Sequence, residues 1–142
     1  MIYYELKIES SSETIEINED NAIDYAEVVL DTHDNSTQKK SSSLLARMTI
    51  QGNITSSIND SLIKISQWAR DLKKETTYRK VTLVIKEDKA GVILRTYEIP
   101  DMFVCDYSEI YHTPKEGTDS EPFQFVLSLN QRENKLEEFN TY

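Results

Sequence analysis

Few residues in this chain are of a type and spacing that can do chemistry. There are two histidines, His33 and His112, and one cysteine, Cys105. A His-based metal site needs further ligands at helical or short-loop spacing, and neither histidine has a second His or Cys at i, i+4. Both therefore read as surface histidines. Cys105 and His112 would make a nucleophile–base pair only across a strand and turn that separate them by up to ~20 Å when extended, with no third group to orient the base. Cys105 falls in an apolar-alternating segment and reads instead as a small buried thiol. Glu98, Asp101, Asp106 and Glu109 gather around an expected turn and could bind Ca²⁺ weakly. They lack the Asp/Asn alternation and glycine of a calcium loop, which favours a solvated acidic edge. No serine lies in Gly-x-Ser-x-Gly, and the triplets at Asn35, Asn53 and Asn59 match a glycosylation pattern that matters only after secretion. No residue is thus singled out as catalytic, cofactor-binding or metal-ligating.

Composition narrows the classes further. The chain has 142 residues, with 16 Lys plus Arg against 25 Asp plus Glu, for a formal charge of −9. A nucleic-acid partner would be met against net repulsion rather than with the basic excess that phosphate neutralisation uses. The only glycines are Gly52, Gly91 and Gly117, too far apart for a P-loop or a dinucleotide-binding turn. A lone cysteine permits no internal disulfide, as suits a reducing compartment. The opening Met1-Ile2-Tyr3-Tyr4-Glu5-Leu6-Lys7 lacks a basic segment followed by an apolar core, so no signal peptide is expected. No apolar stretch approaches the ~20 residues that span a bilayer, so no direct membrane insertion is expected.

The elements that would position any functional side chain are mostly strands. Ile2, Tyr4, Leu6 and Ile8 alternate with Tyr3, Glu5, Lys7 and Glu9; Thr14 to Ile17 repeats the pattern; Asn18 to Asn21 turns the chain; Tyr25 to Leu30 reads as strand. Asp31 to Ser43 holds no apolar residue and must be an exposed loop, either a plain connection or an arm. Leu44 to Ile54 is the longest alternating run, with Gly52 as a bulge or close-approach point. Leu62, Ile65, Trp68, Ala69 and Leu72 then form a helical stripe, capped by Asn59 or Asp60 and closed by Lys73 and Lys74 at the negative dipole end. Val81, Leu83 and Ile85 begin a hairpin whose loop contains Gly91, expected in the left-handed conformation, and Val92 to Ile99 returns. Pro100-Asp101 is expected to turn the chain into Met102 to Ile110, where Phe103, Cys105 and Tyr107 share a face with Glu109. Phe123, Phe125, Leu127 and Leu129 mark the last clear strand, and Leu136 and Phe139 are possible anchors for the charged tail. The expected fold class is mainly β (α+β): one domain over residues 1–142, a compact antiparallel β-barrel or sandwich of about eight strands flanked by one α-helix at about 60–74. A long polar loop at 31–43 and a charged tail at 131–142 complete it.

From the helix onward the chain resembles the hemolysin-coregulated (Hcp, TssD) tube proteins of type VI secretion systems, relatives of phage tail-tube and other contractile-injection tube proteins. The resemblance is carried by Ile63-Lys64-Ile65-Ser66-Gln67-Trp68-Ala69, by Lys80-Val81-Thr82-Leu83-Val84-Ile85, by Arg95-Thr96-Tyr97-Glu98-Ile99, by Phe103-Val104-Cys105-Asp106-Tyr107-Ser108-Glu109-Ile110-Tyr111, and by Phe123-Gln124-Phe125-Val126-Leu127-Ser128-Leu129. Where the family commonly has a Gly-Arg-Pro-like turn, this chain has Asp31 to Ser43. The resemblance implies a non-enzymatic bacterial structural subunit, without cofactor, that joins copies of itself into hexameric rings stacking as a hollow tube. Its implied partners are itself, sheath, baseplate or spike proteins and effector cargo, with no nucleic acid. It also implies assembly in the cytoplasm, with ejection by the injection system left open. Interface candidates are His33, Asp34, Asn35, Gln38, Lys39 and Lys40 in the arm, and Tyr107, Glu109 and Tyr111 at a strand end. Polar faces such as Lys80, Thr82 and Lys86, or Gln124, Ser128 and Asn130, either line a lumen or are ordinary solvated sheet. The alternative is a β-rich adaptor module whose strand edges dock a different protein; a carboxylate-based enzyme ranks last.

Overall fold

The computed structural model describes residues 2–32, 44–113, 123–132 and 140–142. Strands β1 (Tyr3–Glu9), β2 (Thr14–Ile17), β3 (Ile23–Thr32) and β4 (Leu44–Asn53) precede helices α1 (Asn59–Ala69) and α2 (Lys74–Thr77). Then come β5 (Arg79–Lys86), β6 (Ile93–Ile110), β7 (Gln124–Gln131) and the two-residue β8 (Asn140–Thr141). All pairings are antiparallel, in the order β2-β1-β5-β6-β7-β4-β3, with β8 added to β6.

β6 is the hinge of this arrangement. Its first half pairs with β5, from Ile93 opposite Lys86 to Met102 opposite Arg79, and its second half pairs on the other edge with β7, from Met102 to Ile110. One strand therefore belongs to two layers, β2-β1-β5-β6 and β6-β7-β4-β3, as at the corner of a sandwich. The corner lies at Pro100, which has no N–H to give to a ladder, and Asp101, which takes a φ of 55°. The expected turn at Pro100-Asp101 is thus a bend within one continuous 18-residue strand. Pairing on both flanks holds the chain extended through residues that in isolation would turn it.

The second corner follows from chain length. Flat, the path from β2 to β3 crosses six strand spacings, about 29 Å. The connection from Ile17 to Ile23 reaches at most about 21 Å, so the sheet has to curl. β2 and β3 are not paired with each other, so no closed barrel forms among the described residues. Of the expected barrel or sandwich, the sandwich is what is built.

The core fills the space between the layers. Leu6 and Ile8 of β1, Ile15 and Ile17 of β2, Val81 and Leu83 of β5, Met48 and Ile50 of β4, and Phe125, Leu127 and Leu129 of β7 are all buried, at the period-2 spacing of inward positions. Leu62, Ile65 and Trp68 of α1 join the same cluster. Gly52 sits where β4 meets the β2–β3 turn; a Cβ there would lie 2.0 Å from the Ala22 carbonyl oxygen and 2.8 Å from the Phe125 ring. It is the close-approach point, and the irregularity in the ladder lies opposite, between Ile23 and Tyr25.

Several local expectations are corrected. The N-cap of α1 is Ile58, buried and without a side-chain cap, while Asn59 and Asp60 lie inside the first turn. The helix stops at Ala69, because Arg70 N and Asp71 N bond back three residues to Gln67 O and Trp68 O, at 3.1 and 3.0 Å, tightening the last turn. Leu72 therefore lies off the stripe at 95% exposure, and Lys73 and Lys74 fall beyond the helix end. Gly91 is not left-handed; its close neighbour is Asp88 N, 2.9 Å from a notional Cβ. A ladder irregularity between Val104 and Asp106 inserts one residue, so Val104 and Tyr107 pack against the core and Cys105 is exposed. The extra residue flips the alternation, which is why Phe103, Cys105 and Tyr107 do not share a face.

Candidate assembly surfaces

Reactive groups come together nowhere as a catalytic centre among the described residues. Although Cys105 is exposed, its thiol is pushed up chiefly by partial desolvation, which outweighs a hydrogen bond from the Asn130 backbone and the charge of Arg47, so it is not activated. His112 rests edge-on against Phe123, with ring centres 6.2 Å apart. No three of His, Cys, Asp and Glu converge as metal ligands among the described residues. Of the acidic cluster, Glu98 is engaged by Lys80 Nζ at 3.5 Å and by the Tyr142 hydroxyl.

The most enclosed charge is structural. Arg79, at 5% exposure, donates from Nε to Thr76 O at 2.8 Å, reaches Glu13 at 3.1 Å and Asp71 at 3.8 Å, and lies 5.2 Å from the Trp68 ring centre. Trp68 Nε1 donates to Thr77 O at 2.8 Å. The Asp71 carboxyl is held below its ordinary value, first by the Thr76 hydroxyl and then by the Lys73 backbone N–H. This knot ties both helices to β5 and to the β1–β2 turn. It lines an open cleft of about 530 Å³; another, of about 370 Å³, lies at the seam between β1 and the β2–β3 turn. In the first cleft the two carboxylates, Glu13 and Asp71, are both paired with Arg79.

His33, Asp34, Asn35, Gln38, Lys39 and Lys40 lie outside the described residues. Of the other three candidates, Glu109 and Tyr111 meet on the surface, the Tyr111 hydroxyl donating to Glu109 Oε2 at 2.7 Å. The Tyr111 ring packs edge-on against Phe123 at 5.0 Å, and Ile110 beside them is exposed, making an apolar cluster at the β6–β7 end. Tyr107 departs from the group: it faces the core, its hydroxyl is enclosed without a hydrogen-bond partner, and its pKa is raised mainly by desolvation. Leu136 and Phe139 of the tail lie outside the described residues.

Free strand edges are the other assembly feature. Among the described residues β3 pairs only with β4, leaving its outer edge open over ten residues. On β6, residues 103–110 lack a strand on the β5 side, and Ile93–Arg95 lack one on the β7 side, among the described residues. Beside the latter, Val92, Ile93 and Leu94 are all exposed. The sequence reading passed over this patch. Its signal was there, three apolar residues in a row directly after a turn, which no alternating strand can bury together. The polar faces behave as the outside of the layers: Lys80 and Gln124 are exposed, and Lys86 bridges to Glu5 at 2.9 Å.

No family model matches the chain, and no curated protein matches its sequence. Solved structures do. Hcp1 from Flavobacterium johnsoniae superposes with a TM-score of 0.54 at 9% identity, covering 90% of each chain. A chain of the anti-feeding prophage baseplate gives 0.55 at 10% identity, over 99% of this chain and 92% of that one. A chain of the PVC extracellular contractile injection system, from its extended sheath-tube complex, gives 0.53 at 10% identity over 99% and 88%. At such low identity the likeness is one of fold, and it runs nearly end to end. The chain has the fold of Hcp1 and of chains built into contractile injection assemblies.

Proposed function

We propose that this chain is a structural, non-enzymatic subunit that joins copies of itself into hexameric rings, and that these stack as the inner tube of a type VI secretion or related contractile injection system. The observation that carries the proposal is the agreement in fold over 90–99% of the chain with Hcp1 and with chains of injection assemblies. The open edges of β3 and β6 support it, because a ring needs two different surfaces on each protomer. In this reading assembly takes place in the cytoplasm, and the tube meets sheath, baseplate or spike proteins and carries effector cargo.

Native mass spectrometry and negative-stain electron microscopy test it. The expected result is a particle of six 16.5 kDa protomers seen as an annulus. A chain that stays monomeric at high concentration, or that binds a different protein one to one without self-association, overturns the reading in favour of an adaptor.

A further inference from the structure

The edge of β6 is only partly covered. From Asp101, whose carbonyl accepts from Arg132 N at 2.8 Å, β7 pairs onward to Ile110. Toward the other end, among the described residues, Thr96 to Glu98 are covered by residues 140–142: Tyr97 lies opposite Thr141, Glu98 opposite Asn140, and Thr96 exchanges both backbone hydrogen bonds with Tyr142. Ile93 to Arg95 have no strand on this edge among the described residues. The covering piece is slight. Its described part is residues 140–142, and Tyr142 remains 67% exposed although its hydroxyl reaches Glu98. Proteins commonly shield an open edge with such a short strand, because an uncovered one pairs with other chains.

We propose that the β6 edge from Ile93 to Glu98 is the contact for the outer edge of β3 in a second copy, and that residues 140–142 guard it and leave when the two strands pair. The proposal rests on the reading of the chain as a self-assembling subunit. β3 is the occupant because, among the described residues, it is the longest strand whose outer edge is free throughout, and because its chemistry matches. It presents exposed Asp24 and Glu27 together with exposed Tyr25 and Leu30. The β6 edge presents exposed Arg95 together with exposed Val92, Ile93 and Leu94. Among the described residues the other cations of that hairpin, Lys86 and Lys89, are bridged to Glu5 and Asp20, whereas Arg95 has no such bridge and is the cation on the edge itself, the exposed Glu87 and Asp88 lying in the hairpin loop. Two different edges make a heterologous contact, which repeats around a ring rather than ending at a dimer. The guard then works as a threshold: its own hydrogen bonds must be given up before a neighbour's are gained, so isolated protomers resist premature edge pairing.

The test compares the full chain with a chain ending at residue 139 and with Glu27→Lys, Arg95→Glu and their combination, by sedimentation velocity over a concentration series. Circular dichroism melting of each variant confirms that it folds. Shortening should lower the protomer concentration at half-assembly by about threefold or more, because the edge no longer has to be vacated. Each charge reversal should raise it about threefold, and the combination should restore it, as an exposed ion pair of ordinary strength does. An unchanged or raised midpoint in the shortened chain overturns the guard. A combination no better than the single variants overturns β3 as the occupant. If the full chain forms rings that none of these variants affects, the tube reading stands and this contact falls; if the full and shortened chains both stay monomeric, both fall.

Discussion

At the scale of single residues, the positions that constrain the fold are those where space or solvent runs out. Gly52 faces the Ala22 carbonyl so closely that any Cβ must displace backbone. Gly52→Ala should cost about 3 kcal/mol or more, as overpacking against immovable atoms does, read as a drop in the urea midpoint. Tyr107 presents the opposite problem, an enclosed hydroxyl with nothing to bond. Removing it with Tyr107→Phe should stabilise the chain by about 1 kcal/mol at neutral pH. The pH dependence follows from the raised pKa, which burial imposes first and Glu109 and Tyr111 reinforce. A phenol that holds its proton more tightly in the folded state than in the unfolded one contributes stability that is fully present below the ordinary value of 10.0 and is lost as pH rises through the folded value. The advantage of Tyr107→Phe over the parent should therefore widen in denaturation series run above pH 10.0. A constant difference across that range would mean that the hydroxyl is solvated in both states.

At the scale of elements, β6 and α1 show how tertiary partners override local tendencies. The bend that lets β6 serve both layers depends on a left-handed residue at Asp101. A β-branched side chain tolerates that conformation poorly, whereas asparagine adopts it readily. Asp101→Val should lose about 1–2 kcal/mol and Asp101→Asn almost nothing, measured by thermal denaturation. In α1 the apolar stripe continues on paper to Leu72, yet the helix tightens and ends three residues earlier, where Asp71 caps Lys73 N at 2.9 Å and turns to Arg79. Leu72→Ser should leave stability within about 0.5 kcal/mol, as expected of a solvent-facing side chain. A larger loss would return Leu72 to the core.

At the scale of the whole molecule, the charge of −9 acts on association rather than on fold. Identical protomers repel until they are within a screening length, which shrinks from ~30 Å at 0.01 M salt to ~10 Å at 0.1 M. Assembly should strengthen as salt rises over that range, with the half-assembly concentration falling in light scattering. If it strengthens as salt falls, attraction between local charges at the contacts exceeds the net repulsion. The same reasoning weights the apolar patches: Val92–Leu94 at one end of β6 and Ile110, Tyr111 and Phe123 at the other offer contact area without added charge.

The alternation of apolar and polar residues located by itself most of the strand segments, most of the core and the one long helix that packs on it, because a strand shows its face every second residue and a helix every third or fourth. Ile8, Trp68, Leu83 and Leu129 are buried as that periodicity requires. Order and pattern also pointed to the tube-protein fold. What the periodicity could not carry was anything set by a neighbour distant in sequence. One inserted residue beside Cys105 reverses the alternation without changing composition, and so turns Tyr107 inward and the thiol outward. Pairing with β5 and β7 on opposite flanks makes one strand of Ile93–Ile110 where Pro100-Asp101 reads locally as a turn. The free edges of β3 and β6 are defined by the strands that do not reach them. Backbone hydrogen bonds between strands carry no signature in side-chain type, so only the tertiary structure decided which edges stay open among the described residues.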